Sequence, residues 1–75
     1  MTPYEQDVLL PTLRTLNRQF GAIHARLLAL SVGKSERTAQ YYLQRMERVG
    51  MVARPDGPRK GWAVGVQLHG IQKGL

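Results

Sequence analysis

The apolar residues of this chain change their spacing near Gly50, and that change limits the folds open to it. Before Gly50 they recur at intervals of three and four residues, the period of amphipathic helices. Further along, Trp62, Val64, Val66 and Leu68 alternate with smaller or polar residues, as expected for a half-buried strand. The order predicts an α+β fold, mostly α, in which a three-helix core is followed by a C-terminal β-hairpin.

The first helix is predicted to begin next to the N-terminus. Thr2 and Glu5 have the spacing of a capping box. We expect a kink or a restart between Asp7 and Pro11, because proline lacks the amide of a regular helix. Gly21 is predicted to end the segment. The inward stripe of this helix is predicted to be Leu9, Leu13, Leu16 and Phe20.

Two further helices are predicted before Gly50. Residues 22–30 read as a short helix or as a brief strand leading into one, and residues 31–34 as a turn that Gly33 closes. Ser35 is expected to cap a third helix that runs to Val49. Its inward residues are predicted to be Ala39, Leu43 and Met46, with Tyr42 beside them. Its outer residues are predicted to be Arg37, Gln40, Tyr41, Gln44, Arg45 and Arg48.

The remaining residues predict the hairpin. Residues 51–54 read as a short strand and residues 55–61 as a loop of turn-forming residues, and a second strand begins at Trp62. Trp62 is predicted to belong to the core and not to a binding site. The apolar pattern ends at His69, so residues 69–75 are predicted to be a loose tail. No second domain is visible, and we expect residues 1–75 to form one domain.

Charge indicates the kind of partner. Eleven Lys and Arg residues against five Asp and Glu give a net charge of +6. Residues 1–33 carry a net charge of +1 and residues 34–75 carry +5. A small domain with this charge attracts polyanions, among which nucleic acid is the commonest. The alternative is a basic surface that serves solubility alone.

The sequence offers no recognisable catalytic or metal-binding set. It has no cysteine, and His24 and His69 have neither a second ligand at metal spacing nor the partners of a nucleophile triad. We therefore expect no enzyme activity, no cofactor, no metal and no small-molecule substrate. Residues 1–7 do not resemble a signal peptide, and the apolar stretches are too short to span a bilayer. We expect a cytoplasmic, nucleoid-associated protein without membrane contact.

The middle of the chain carries a second kind of pattern. Residues 28–43, LALSVGKSERTAQYYL, place Leu-Ala in one helix, an apolar residue and Gly33 at a turn, and Ser-Glu-Arg-Thr at the start of the next helix. Together with the continuation LQRMERVGMV, this pattern resembles the winged helix-turn-helix domains of small bacterial, archaeal and phage regulators. The resemblance covers residues 20–68. Lys34 departs from it, because the family usually has an apolar residue just after the turn glycine.

The resemblance implies that the third helix enters the major groove of duplex DNA. Arg37 is suited to guanine, Gln40 and Gln44 to adenine, and Glu36 to cytosine, while Tyr41 suits a thymine methyl or a phosphate. The family's base-reading positions map onto Ser35, Glu36, Arg37, Gln40, Tyr41 and Gln44. The alternative is that these residues form only a solvated helix face.

The resemblance also assigns residues outside the recognition helix. Arg59 and Lys60 occupy the wing tip, which in this family reaches the minor groove or the adjacent backbone. Arg54 and the ammonium of Lys34 are candidates for phosphate contacts.

The function expected from these observations is sequence-specific binding of double-stranded DNA, as a small transcriptional regulator. A homodimer is expected, because one copy contacts only a short half-site. Its contacts are expected to come from Tyr4, Val8 and Leu9, or from residues 71–75. Two alternatives stay open: a winged-helix scaffold for protein–protein interaction, and a basic RNA-binding protein.

Overall fold

Three helices and a short antiparallel hairpin make up residues 1–65, the part of the chain that the computed structural model describes. The elements are α1 (Leu10–Phe20), α2 (Ala25–Val32), α3 (Glu36–Arg48), β1 (Val52–Ala53) and β2 (Ala63–Val64). This order confirms the predicted α+β, mostly α, class. The predicted end of the second strand, residues 66–68, and the predicted tail with His69 lie outside the described residues.

The N-terminal helix is irregular where the sequence predicts it. A π-helical turn, Glu5–Leu9, precedes α1, and the Leu10 N–H donates to the carbonyl of Glu5. Pro11 lies in the first turn of α1, so its missing amide coincides with the junction between the π-helical turn and α1. The capping box is present as well: the Thr2 N–H donates to Glu5 Oε1 at 2.8 Å, and the Glu5 N–H donates to Thr2 Oγ1 at 3.2 Å.

A single residue before helix α2 forms an isolated β-bridge with the residue that precedes β2. The Ile23 N–H donates to the Trp62 carbonyl at 3.0 Å, and the Trp62 N–H donates to the Ile23 carbonyl at 2.6 Å. A single β-bridge residue precedes the helix, so of the two predicted alternatives neither a helix from residue 22 nor a strand is observed. The helix then runs further than predicted, so Ser31 and Val32 are helical and not part of the turn. Gly33 closes it with φ +70°.

The hairpin is shorter and more deeply buried than predicted. Val52 pairs with Val64 and Ala53 pairs with Ala63. The predicted alternation of buried and exposed residues is wrong over the described part of the second strand, because residues 62–65 are all buried. Neighbouring strand residues point to opposite faces, so both faces of β2 are covered.

One apolar core joins these elements, and it corrects the stripe predicted for the first helix. Phe20 is 64 % exposed, whereas Asn17 is buried. Asn17 lies four residues after the buried Leu13, and it therefore occupies the inward position that α1 presents to the core. The fully buried large side chains include Leu9, Leu13, Leu28, Leu43, Met46 and Val64. Trp62 is buried and Tyr42 packs against the core, as predicted.

Asn17 ties α1 to the hairpin. Its Nδ2 donates to the carbonyls of Gly21 at 2.8 Å and Trp62 at 3.1 Å, and its Oδ1 accepts from the Val64 N–H at 2.9 Å. The amide thus satisfies backbone groups of β2 and of the residue just before it. Because buried backbone groups without partners are costly, this side chain helps to fix where the hairpin lies on the helices.

Candidate nucleic-acid interface

One face of α3 is anchored in the core and the opposite face is exposed. Ala39, Leu43 and Met46 are buried. The exposed face carries Arg37, Gln40, Tyr41 and Gln44, at offsets of three, four and seven residues. Residues at these offsets share one side of a helix, and the 13 residues of α3 span about 20 Å. The structure thus brings four of the predicted base-reading residues together on one surface.

The start of α3 is capped as the sequence predicts. Ser35 has extended backbone, and its Oγ accepts a hydrogen bond from the Thr38 N–H at 3.1 Å. The same hydroxyl donates to Thr38 Oγ1 at 2.9 Å. Ser35 therefore has a structural role already, and its contact with a base stays a prediction. Glu36 is exposed in the first helical turn, where the helix dipole favours a carboxylate.

Lys34 lies in the turn between α2 and α3, and both its backbone and its side chain have partners in the domain. The Lys34 N–H donates to the Ala29 carbonyl at 3.0 Å, which satisfies one of the last carbonyls of α2. The Lys34 Nζ lies 5.6 Å from the centre of the Tyr4 ring, a distance at which a cation is attracted to the ring face. The ammonium of Lys34 thus has an aromatic partner on the N-terminal segment.

A chain of side-chain contacts braces α3 from the N-terminus. Tyr4 lies 5.4 Å from Tyr42, and Tyr42 lies 5.4 Å from Tyr41, measured between ring centroids. Arg45 donates to the Tyr41 hydroxyl at 3.1 Å, and its Nε lies 3.8 Å from the buried carboxylate of Glu5. The hydrogen bond to Tyr41, together with the Glu5 carboxylate, raises the pKa of Arg45 above its ordinary value. The sequence indicated the Thr2–Glu5 box, but nothing in it showed that this carboxylate faces α3.

The loop of the hairpin is built from two consecutive turns. The Gly57 N–H donates to the Arg54 carbonyl at 3.1 Å, and the Lys60 N–H donates to the Gly57 carbonyl at 3.2 Å. Each turn has proline at its second position, where the fixed φ of proline suits a β-turn. Arg59 and Lys60, the predicted wing-tip cations, lie in the second turn and are exposed.

Arg54 is held within the domain. Its Nε and Nη2 donate to the two carboxylate oxygens of Glu47 at 3.1 and 3.0 Å. Its guanidinium also lies 4.6 Å from the centre of the Trp62 ring. A phosphate contact by Arg54 stays a prediction, and it would require Glu47 to share the guanidinium. Arg54 joins the end of α3 to the hairpin, a role that sequence reasoning missed.

Most of the cationic side chains predicted to contact DNA form no salt bridge within residues 1–65. Within residues 1–65 the carboxylates form salt bridges only with Arg45 and Arg54. The exposed cations that remain on α3, the turn before it and the hairpin loop are Lys34, Arg37, Arg48, Arg59 and Lys60. Two of these cations, Arg37 and Arg48, lie on α3 itself.

The hairpin loop returns to the sheet at a glycine that the fold requires. Gly61 has φ +104°, and an added Cβ would lie 3.0 Å from the Ile23 backbone. Gly61→Ala is therefore expected to lower the free energy of unfolding by about 1–2 kcal/mol, as measured by urea denaturation. Gly57→Ala is the matched control, because Gly57 has φ +113° and nothing within 4 Å of its added Cβ. Equal losses in the two variants would contradict the close approach of Gly61 to Ile23.

The remaining features of residues 1–65 add no second site of this kind. His24 is exposed at the start of α2, and no group of three His, Asp or Glu side chains in this part of the chain could hold a metal ion. None of the helices described is long and apolar enough to cross a membrane.

Comparison of the chain with protein-family models, curated proteins and solved structures found no match.

Proposed function

We propose that this protein binds double-stranded DNA in a sequence-specific manner, as a small transcriptional regulator, by placing α3 in the major groove. The observation that carries the proposal is the exposed face of Arg37, Gln40, Tyr41 and Gln44 on a helix whose other face is buried. An α-helix fits the major groove, where each base pair presents a distinct pattern of donors and acceptors. A helix held rigidly by the core can present its side chains to that pattern at a fixed register.

The chemistry of this face suits base reading. Arg37 can donate two hydrogen bonds to guanine, and the amides of Gln40 and Gln44 can pair with adenine. Tyr41 is 55 % exposed and can contact a thymine methyl or a phosphate. Because Arg45 donates to the Tyr41 hydroxyl, that ring would enter the groove in a defined orientation.

The hairpin loop supplies the second contact in this proposal. Arg59 and Lys60 lie in a loop that begins and ends on the two short strands. Cations on such a loop can follow the phosphate backbone or enter a narrow minor groove. The sheet supports this arrangement, because Trp62 pairs with Ile23 on one side of the hairpin and Val64 pairs with Val52 on the other.

Affinity for duplex DNA is expected to fall steeply with salt. If Lys34, Arg59 and Lys60 each meet a phosphate, the logarithm of the binding constant should fall with the logarithm of salt concentration at a slope of about −3. Fluorescence anisotropy with a labelled duplex across a salt series measures this slope. Arg18→Ala on α1 is the control: it removes one charge outside the proposed interface and should leave the slope unchanged. An affinity that does not depend on salt would contradict the proposal.

Selection from a library of random duplexes tests the proposed function most broadly. The expected result is enrichment of one short motif, and an inverted repeat of that motif if the protein acts as the homodimer that we propose. The predicted dimer contact at Leu9 is wrong, because Leu9 is buried in the core of its own chain. Tyr4 is half-buried, which leaves Val8 of the three residues exposed.

Two other results of the selection would point to the alternatives. Binding to structured RNA in preference to every duplex would favour an RNA-binding protein. Absence of binding to either nucleic acid would favour a protein-interaction scaffold. If duplex binding is found, the protein belongs in the compartment that holds the DNA, which we propose to be the bacterial or archaeal cytoplasm.

A further inference from the structure

An apolar groove of about 450 Å³ lies where α1 ends and α2 begins. Phe20 and Leu30 flank it and are 64 % and 72 % exposed. Its lining includes Phe20, Ile23, His24, Arg26, Leu27 and Leu30. Large apolar side chains gathered around one concave surface commonly mark a site where another molecule binds.

Hydrogen bonds to the rest of the domain fix the backbone that lines this groove. Ile23 is buried and is hydrogen-bonded to Trp62 in both directions. Gly21, which precedes it by two residues, accepts a hydrogen bond from the buried Asn17. A groove built on such a segment exists before any partner arrives, so little ordering free energy is lost on binding.

The charges around the groove indicate which partner it fits. Arg26 and His24 belong to its lining, and no acidic residue does. A second copy would meet the groove with the same surface, since a twofold interface is self-complementary, and it would bring the two Arg26 side chains near each other. A segment with carboxylates has the complementary charge.

We propose that this groove binds a peptide segment of another protein, one that carries two or three large apolar side chains flanked by Asp or Glu. The apolar side chains would lie against Phe20, Leu27 and Leu30, and a carboxylate would pair with Arg26. Apolar anchors surrounded by complementary charge are typical of protein interfaces.

The groove is separate from the proposed DNA interface. Its lining comes from α1, α2 and the residues between them, and it includes none of the ten residues predicted to contact DNA. The two proposed sites therefore share no residue. This inference does not depend on DNA binding, and its test can succeed or fail independently.

The test is a selection of displayed random peptides on the immobilised 75-residue chain at physiological ionic strength. The enriched peptides are expected to be net negative and to contain two or three large apolar residues. One of them, fluorescently labelled, is then titrated with the protein and its variants. Enrichment of neutral or basic peptides, or of no peptide at all, would overturn the proposal.

Variants locate the binding surface. Phe20→Ser and Leu30→Ser are each expected to weaken peptide binding by about tenfold. Arg26→Glu is expected to abolish the preference for acidic peptides. Val49→Ser is the matched control, because Val49 is an apolar residue with 63 % exposure outside the groove. Circular dichroism checks that each variant is folded, and Leu30→Ser, at the most exposed of these positions, keeps the test decisive if Phe20→Ser is unfolded.

Two results with these variants would overturn the proposal. One is peptide binding that Leu30→Ser and Arg26→Glu leave unchanged. The other is self-association of the unmodified protein in sedimentation experiments that Leu30→Ser abolishes, because a second copy would then be the occupant of the groove.

Discussion

Asn17→Leu is expected to lower the free energy of unfolding by about 2–4 kcal/mol. Leucine has nearly the same shape as asparagine, so the substitution leaves the packing almost unchanged and removes only the hydrogen bonds. The N–H of Val64 would then be left without its partner in the core, and the carbonyl of Trp62 would keep only the hydrogen bond from the Ile23 N–H. A loss of this size is a large fraction of the stability of a small domain. Urea denaturation followed by circular dichroism measures it.

Gln19→Leu is the control for this prediction. Gln19 lies on the same helix and is exposed, so its substitution is expected to change stability by less than about 0.5 kcal/mol. If Asn17→Leu were as stable as the unmodified protein, the amide would not be holding the hairpin on α1. The hairpin would then be positioned by apolar packing alone.

Leu43→Ala is expected to lower the free energy of unfolding by about 2–5 kcal/mol. Leu43 is 1 % exposed and lies in the buried stripe of α3. Truncating it removes apolar contacts and leaves a cavity between α3 and the elements packed against it. Thermal melting and urea denaturation both measure the effect.

Leu30→Ala provides the comparison for the same substitution on a surface. Leu30 is 72 % exposed, so this change should cost less than about 0.5 kcal/mol. Similar melting temperatures for Leu43→Ala and Leu30→Ala would mean that the inward face of α3 has been misidentified. The exposed face that we propose for DNA would then be misidentified too.

The parts of the fold that depend on neighbouring residues could be predicted from the sequence. The cap at Ser35, the left-handed turn at Gly33 and the Thr2–Glu5 box all involve residues within a few positions of one another. Local hydrogen bonds of this kind leave a signature in the residue types at fixed offsets. The stripe of α3 could be predicted for the same reason, since its period follows from the geometry of the helix.

The parts that depend on distant residues could not be predicted. Asn17 bonds to residues 45 and 47 positions away, and nothing in its neighbourhood marks it as buried. Phe20 continues the apolar spacing, which predicts an inward position. Its side chain is exposed instead, because α1 ends at Phe20 and Asn17 is the residue that faces the core near this end of the helix. The pairing of Ile23 with Trp62 leaves no pattern either, since a strand of one residue has no period.

The residues of the candidate site also divide into those that local patterns predict and those whose partners are distant in the sequence. The exposed residues of α3 could be identified from periodicity, and the cations of the hairpin loop from their position between turn formers. The partners of Arg45 and Arg54 could not, because Glu5 and Glu47 meet them only after the chain folds. Among the predicted site residues, Arg54 and Ser35 therefore have structural partners that a nucleic acid would have to share, whereas Arg37 and Gln40 have exposed side chains without such partners in residues 1–65.

The central claim is that α3 reads sequence while the hairpin loop contributes charge. The most direct test measures four variants on a selected duplex and on a scrambled one across a salt series. Arg37→Ala and Gln40→Ala should each reduce the preference for the selected duplex by about 1–3 kcal/mol. Arg59→Ala and Lys60→Ala should weaken both duplexes alike, and each should reduce the magnitude of the salt slope by about one, because one phosphate is no longer neutralised. If the helix pair and the loop pair behaved alike, α3 would not be the recognition helix and the claim would be contradicted.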